Sequence, residues 1–342
     1  LNDLVSLLSI ISRSHMNNLI LTKKILHWYD NNKRILPWRK KCSQKKREYF
    51  TLVSEFMLQQ TQVSTVIPYF NNFIKKIPNL NSLAKINEKK LLKYWEGLGY
   101  YSRVKNLKKT AKIVVSKYKT KLPNTLDELK KLPGIGEYTA SAILAIAFNK
   151  SYIPLDGNIE RVIKRLLNLK SETEIRKENL IKKKKILGTS DRPCDYAQAI
   201  MELGALICKP KKPFCEKCPL TKNCKSYKKQ DFEIAVKSKK KIDKFFKVKI
   251  FTRGTKILLI KNTKFNFLKN LKIFPMEEIS RPKSLKKSLN FKMSNMNMNI
   301  NIKVMRGMNN IENSSWIEQT KFNSYTLPTF TKKIFSSLGK YL

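Results

Sequence analysis

Two carboxylates, one glycine-containing turn and one run of thiols hold the chemistry that this sequence can offer. Only two histidines occur, His15 and His27, and neither stands near a Ser, Asp or Cys pattern that suggests a triad, so acid-base work falls to carboxylates. Glu55 sits in "YFTLVSEFMLQQTQVSTVIPYF" among Phe50, Leu52, Val53, Phe56, Met57 and Leu58. On an amphipathic helix it either faces water or enters the core. In the core an unpaired anion is expensive, and desolvation keeps the carboxyl protonated near neutrality, as a general acid requires. Asp156, in "IPLDGNIERVIKRLL", precedes a helical run. It is placed to cap that helix or to supply a fixed negative charge.

In "LPGIGEYTASAILAIAF", Pro133, Gly134 and Gly136 lie between two helical patterns. Glycines that open a helix expose backbone N–H groups where the dipole favours an anion, and phosphate is the natural ligand. Cys208, Cys215, Cys218 and Cys224 are separated by six, two and five residues, with Pro210, Pro213 and Pro219 bending the loop between them. Four thiolates so spaced can converge on one soft metal centre. Zinc competes for such a site, although its paired short spacings fit the six-residue first gap poorly. Cys42 and Cys194 have no comparable spacing and read as ordinary thiols.

The elements that must position these groups divide into two kinds. Residues 17 to about 225 are mostly helical by period, as in Ile20, Ile25, Leu26 and Tyr29 or Leu126, Leu129 and Leu132. Pro37, Pro68, Pro78, Pro123, Pro133 and Pro154 punctuate the helices. The lysine-rich stretch at residues 225–244 suits an exposed connector. Beyond it, "FFKVKIF" and "KILLIKN" flank Arg253 and Gly254 as a hairpin. In "NMNMNINIKV", Met296, Met298, Ile300, Ile302 and Val304 alternate with Asn or Lys, which predicts a half-buried strand. The expected organisation is an extension at 1–16, a helical domain at 17–228, a linker at 229–243 and a smaller mixed domain at 244–342.

The chain has 342 residues and a formal net charge of +46. A lysine-rich solvated surface accounts for part of that charge, and a polyanionic partner, nucleic acid before membrane, for the rest. No apolar run reaches the roughly 18 residues of a membrane span. The first fifteen residues lack the basic start of a secretory signal, and Met16 could serve as an alternative start. Clustered cysteines fit a reducing cytosol, and the expected location is the cytoplasm of a bacterial-type cell, in association with the nucleoid.

The cysteine spacing at the end of a helical domain resembles the iron-sulfur loop of the endonuclease III and MutY class of DNA glycosylases. The glycine turn, preceded by "TLDELKK", resembles the helix-hairpin-helix of the same superfamily. The implied fold is a mainly α helix-hairpin-helix glycosylase domain of two helical lobes and a cluster loop, followed by an α+β Nudix-like domain. "SEFMLQQTQV" is close to the MutY segment in which Glu55 would protonate adenine and later activate water, and in the LDGN context Asp156 would stabilise the positive sugar.

Further roles follow from the same resemblance. Tyr138 and Asn158 would support the two carboxyls, and Trp38, Arg39, Leu58, Gln59 and Arg103 would line the pocket and wedge. Gln60 and Tyr100 would enter the stack, Glu202 would hydrogen-bond the extruded adenine, and Gly134 and Gly136 would hold phosphate. A [4Fe-4S] cluster would sit on Cys208, Cys215, Cys218 and Cys224.

Tyr138 stands where strand-cutting relatives carry a lysine, and Glu160 where some carry another. The resemblance therefore implies a monofunctional adenine glycosylase, acting as a monomer on duplex DNA with adenine opposite 8-oxoguanine or guanine. Its alternatives are an endonuclease III-like pyrimidine-lesion lyase and a non-catalytic DNA-binding protein. The closing "SSWIEQTKFNSYTLPTFTKKIFSSL" resembles the end of the MutY C-terminal domain. In the loop that usually reads Phe-Ser-His, Ser294 remains and Asn295 replaces the His, which implies weaker discrimination for the oxidised guanine.

Overall fold

The structure is a computed structural model and describes residues 19–234, 242–282, 288–293, 295–306 and 311–338. It divides into two compact units, and neither is continuous in sequence. The first holds the chain up to Lys85 together with Lys105–Val236, and the second Ile86–Val104 together with the chain from Lys237 onward.

The helical unit opens with α1 (residues 19–32), a 3-10 turn at Pro37–Arg39 and α2 (Gln44–Leu58). α3 (Val63–Lys76) contains Pro68 within the helix. That corrects the expectation that each proline ends one: a proline early in a helix forfeits a single hydrogen bond, which packing of Val66, Phe70 and Phe73 in the core outweighs. α4 (Leu80–Lys85) follows. The chain then passes through α5 (Glu88–Tyr94) of the other unit to α6 (Ser102–Lys117).

α7 (Leu126–Lys130) and α8 (Glu137–Ile146) flank the glycine turn, and α9 (Gly157–Leu167) starts on Asp156. α10 (Lys177–Lys183) leads to α11 (Pro193–Glu202), which runs into a π turn at Leu203–Ile207. One cluster of the core joins Ile25 and Tyr29 of α1, Ile159 and Ile163 of α9, and Tyr196 and Ile200 of α11, with Cys208, Cys218 and Cys224 packed against it. The thiol loop is thereby fastened to the helices that carry the candidate site.

Residues 225–234 differ from the exposed connector expected there. Lys225–Lys228 form α12, Ser226 is buried, and Arg165 of α9 donates to the carbonyl of Phe232 at 3.1 Å. The lysines hid this segment because their charged ends reach water while the backbone docks.

The second unit holds a seven-stranded mixed sheet. β1 (Ile242–Arg253) and β2 (Lys256–Lys261) form the expected hairpin, with Arg253 opposite Lys256 and Gly254 at φ 54°. β3 (Lys272–Ile273) pairs with β2, β4 (Met276–Ile279) with β1, and β5 (Ser288–Met293) with β6 (Met296–Arg306). β6 lies parallel to β1 over eleven residue pairs, from Ile242 opposite Met296 to Thr252 opposite Arg306. β7 (Ser314–Glu318) joins β2, and α13 (Thr329–Ser336) closes the unit.

The alternation in "NMNMNINIKV" is realised, since Met298, Ile300 and Ile302 enter a core with Phe246, Val248, Ile250, Phe322, Leu327 and Ile334. Among the described residues no helix is long and apolar enough to cross a membrane.

Candidate active site

Glu55 lies on the inward face of α2 between Val53, Phe56 and Met57, and it is 4% exposed. One carboxylate oxygen, Oε2, has no hydrogen-bond partner, while Tyr138, in the first turn of α8, bonds the carboxyl through its hydroxyl. Burial pushes Glu55 up to about 7. The Tyr138 bond and the Arg39 charge oppose this rise, and the neighbouring Asp156 charge adds to it. Tyr138 is itself driven well above its ordinary range by burial, then by the charges of Glu55 and Asp156. The three groups thus share one electrostatic site.

Asp156 is held differently. It caps α9: Oδ1 accepts from the Ile159 N–H at 2.7 Å, and Oδ2 accepts from Asn158 Nδ2 at 2.8 Å. Burial leaves its carboxyl raised above its ordinary value, with the bonds from Ile159 and Asn158 and the Arg161 charge opposing part of the rise. Both of its oxygens therefore meet donors, which favours the charged form, whereas Glu55 keeps one buried oxygen bare.

The support for Asp156 continues outward. Arg161 donates to Asn158 Oδ1 at 2.8 Å, to the Gly204 carbonyl at 2.7 Å and to the Cys208 carbonyl at 2.6 Å. Gly204 belongs to the π turn, and a Cβ there would stand 2.7 Å from the Asn158 Cβ, so only glycine permits this approach. Sequence reading named Asn158 but missed Gly204. No local signal distinguishes a glycine needed for close packing from one in a turn.

Glu202 ends α11 and is fully buried. Arg34 grips it with Nε and Nη2 at 2.8 and 2.9 Å, and Arg39 reaches Oε1 at 2.9 Å. Sequence reading missed Arg34. The signal was an arginine where the chain otherwise uses lysine freely, five positions before Arg39. Trp38 is also buried, edge-on to Phe70 at 5.3 Å, and so serves the core as well as any pocket.

At the glycine turn, Gly134 has φ 81°, and a Cβ there would meet Phe56 at 2.8 Å and Asn106 at 2.9 Å. Gly136 precedes α8 and faces open space. Gln59 donates to the Gly134 carbonyl and to Thr139 Oγ1, each at 3.4 Å, which ties the end of α2 to the turn. Gln60 is exposed at φ 58°, and Leu58 is half-buried beside it. In the other unit Tyr100 is exposed at φ 46°, and Arg103 lies over its ring at 5.3 Å. Non-glycine residues held in the left-handed region mark strain of order 1 kcal/mol each, common where a side chain must be aimed. Ser294 lies outside the described residues.

With that geometry in place, similarity to known proteins becomes informative. Residues 53–185 match the HhH-GPD superfamily of base excision DNA repair proteins. The adenine DNA glycosylase of Buchnera aphidicola subsp. Schizaphis graminum is 37% identical over 263 residues, which cover 75% of this chain and 74% of that protein. The chain belongs to the adenine DNA glycosylase family. The counterpart from Buchnera aphidicola subsp. Baizongia pistaciae is 42% identical, over 66% of this chain and 64% of its own length. The human adenine DNA glycosylase is 40% identical over 59% of this chain, and only 38% of its length is spanned. Among solved structures, a thermostable thymine-DNA glycosylase is similar with a TM-score of 0.55 and 27% identity, covering 63% of this chain and 98% of that one. An endonuclease III bound to DNA shares the fold, at a TM-score of 0.50 and 22% identity over 61% of this chain.

The family resemblance implies a cluster at the thiol loop. Cys208, Cys215, Cys218 and Cys224 are partly buried, and each of the last three feels the charge of Cys208. Burial pushes Cys218 up to about 12 and raises Cys215 and Cys224 as well, so four thiolates would need a cationic centre among them. Arg165 braces the loop through the carbonyls of Lys209 and Pro210, both at 2.6 Å, and through Cys208 Sγ at 3.5 Å. Thr221 bonds the carbonyls of Cys215 and Cys218. Among the described residues no three such side chains are gathered as one metal ion requires. The donor set, four soft thiols on one braced loop, is by its chemistry of the kind that suits a soft metal centre.

Proposed function

We propose that this chain is a monofunctional adenine DNA glycosylase, hydrolysing the bond between adenine and deoxyribose where adenine is mispaired with 8-oxoguanine or guanine in duplex DNA. The observation that carries this function is the Glu55, Tyr138 and Asp156 arrangement: one carboxyl protonated near neutrality and bonded to Tyr138, and one held by donors on both oxygens whose charge Tyr138 and Glu55 both feel.

The extruded adenine would accept a proton from Glu55, and the electrons of the breaking sugar–base bond would then pass to the ring. The sugar becomes an oxocarbenium-like cation, which the Asp156 carboxylate stabilises without moving. Glu55, now ionised, takes a proton from the water that adds to the sugar. Arg34 and Arg39 fix the Glu202 carboxylate, whose free lone pairs would accept from the exocyclic amine of adenine. Tyr138 and Glu160 stand where an amine would otherwise trap the sugar as an imine, so strand cleavage does not follow.

Cys208, Cys215, Cys218 and Cys224 would hold a [4Fe-4S] cluster, whose contribution when bound is to fold the loop. Lys209, Lys211, Lys212 and Lys217 are then presented to phosphate, and Arg161 keeps its hold on the Cys208 carbonyl.

An end-labelled duplex with one adenine opposite 8-oxoguanine tests the function. Breaks that appear only after hot alkali are the expected result. Breaks without alkali would indicate a lyase, and binding without any break a non-catalytic protein; either would overturn it.

A further inference from the structure

Residues 86–104 belong with the C-terminal sheet unit, and among the contacts that tie them to it are those of the Glu96 carboxylate. Glu96, 12% exposed, accepts from the Leu327 N–H at 3.0 Å and pairs with Lys332 of α13 at 2.8 Å, both on Oε1. Its Oε2 pairs with Lys93 at 2.7 Å, and Lys93 also reaches the Asn323 carbonyl at 3.3 Å. Burial alone would raise this carboxyl, but the bonds from Lys332, Lys93 and the Leu327 N–H together hold it below its ordinary range.

Four residues on, the chain carries Tyr100, with its strained backbone and exposed ring. Side-chain bonds tie the intervening loop. Trp95 is fully buried and donates to the Gly99 carbonyl at 3.1 Å, and Arg103 donates to the carbonyls of Leu98 and Gly99 at 3.0 and 3.3 Å. Arg103 lies over the rings of both Trp95 and Tyr100.

We infer that Glu96 is a positioning residue, which fixes the Tyr100 tip on the C-terminal unit so that the side chain entering the DNA stack and the module that would read the opposite base move as one body. Glu96 touches neither substrate nor reacting atoms and acts through Tyr100. What Tyr100 does to DNA rests on the function proposed above.

The test uses the full chain and a duplex with a non-cleavable abasic analogue opposite 8-oxoguanine, measured against a matched duplex at fixed salt. Tyr100→Ala is expected to lower the preference for the abasic duplex by about tenfold, the worth of one stacking contact. Glu96→Gln is expected to lower it about threefold to tenfold while the melting temperature stays within a few degrees. The double variant is expected to lose no more than Tyr100→Ala alone, because Glu96 works only through that ring. General loosening of the fold would instead make the two losses multiply.

Lys332→Met removes a partner of Glu96 from α13 without touching residues 86–104, and at least a twofold loss is expected. It decides the matter if Glu96→Gln fails to fold. Undiminished preference in these variants, or multiplied losses in the double variant, overturns the role of Glu96 alone. A wild-type chain with no preference for the abasic duplex overturns both this role and the proposed function.

Discussion

The helical unit and the sheet of the C-terminal unit bury different things. The first encloses Glu48, Glu55, Arg165 and Glu202, each less than 9% exposed, whereas from Lys237 onward the buried polar side chains among the described residues are Asn262 and Thr331. Buried charge is costly unless matched. Glu48 is matched by the Leu122 N–H and Gln44, Glu202 by two arginines, and Arg165 by carbonyls. Glu55 is the outlier, with a bare oxygen. The contrast teaches where this chain gives up stability: in the helical unit, where Glu55 Oε2 is left bare along with Arg39 Nε and Thr51 Oγ1, and at no charged group in the described part of the sheet.

The contrast can be broken in several ways. The largest effect is expected from Asp156→Asn. Asparagine can still accept from the Ile159 N–H and cap α9, so the chain should fold and bind DNA, but without the charge single-turnover adenine release should fall at least about a thousandfold. Near-normal rates would remove Asp156 from the chemistry.

Glu55→Gln is expected to abolish release and also to stabilise the fold. Between 4.5 and about 7 the folded carboxyl keeps a proton that the unfolded one has lost. Stability from this group therefore falls as pH rises through that window and stays low above it. The variant should match wild type below pH 4.5 and exceed it at pH 8, by roughly 3 kcal/mol at most, in urea melts at each pH. Equal stability at pH 8 would show that Glu55 is not the strained group.

Arg34→Met should cost about 2 to 3 kcal/mol by the same melts, since Arg39 remains on Glu202. A neutral effect would mean that the second arginine is there for substrate alone. The smallest change is expected from Ile300→Val in β6, about 1 kcal/mol and independent of pH, because that core holds no titrating group to couple with.

Much of this was legible in residue order. Period-two alternation gave β6, and the Gly254 turn gave the hairpin, because strand patterning and turn chemistry are local. The cysteine run, the LDGN segment and the glycine turn were legible because each packs its chemistry into a few adjacent positions. Arg34 and Glu202 were harder, being 168 residues apart in sequence, and neither announces the other. Residues 86–104 looked like ordinary helical sequence. Nothing within them shows that Glu96 will meet an N–H 231 residues away.

The sequence by itself determined the classes of side chain on offer: two carboxylates, a glycine turn that opens a helix, four thiols, and no amine where Tyr138 stands. Only tertiary structure decided which carboxyl stays protonated. Both precede or occupy helices, and both are raised by burial, but Asp156 receives donors on each oxygen while Glu55 has Tyr138, from α8, on its carboxyl and leaves Oε2 bare. A carboxyl's proton affinity is set by the solvation and donors around it, and those are supplied by neighbours distant in the chain.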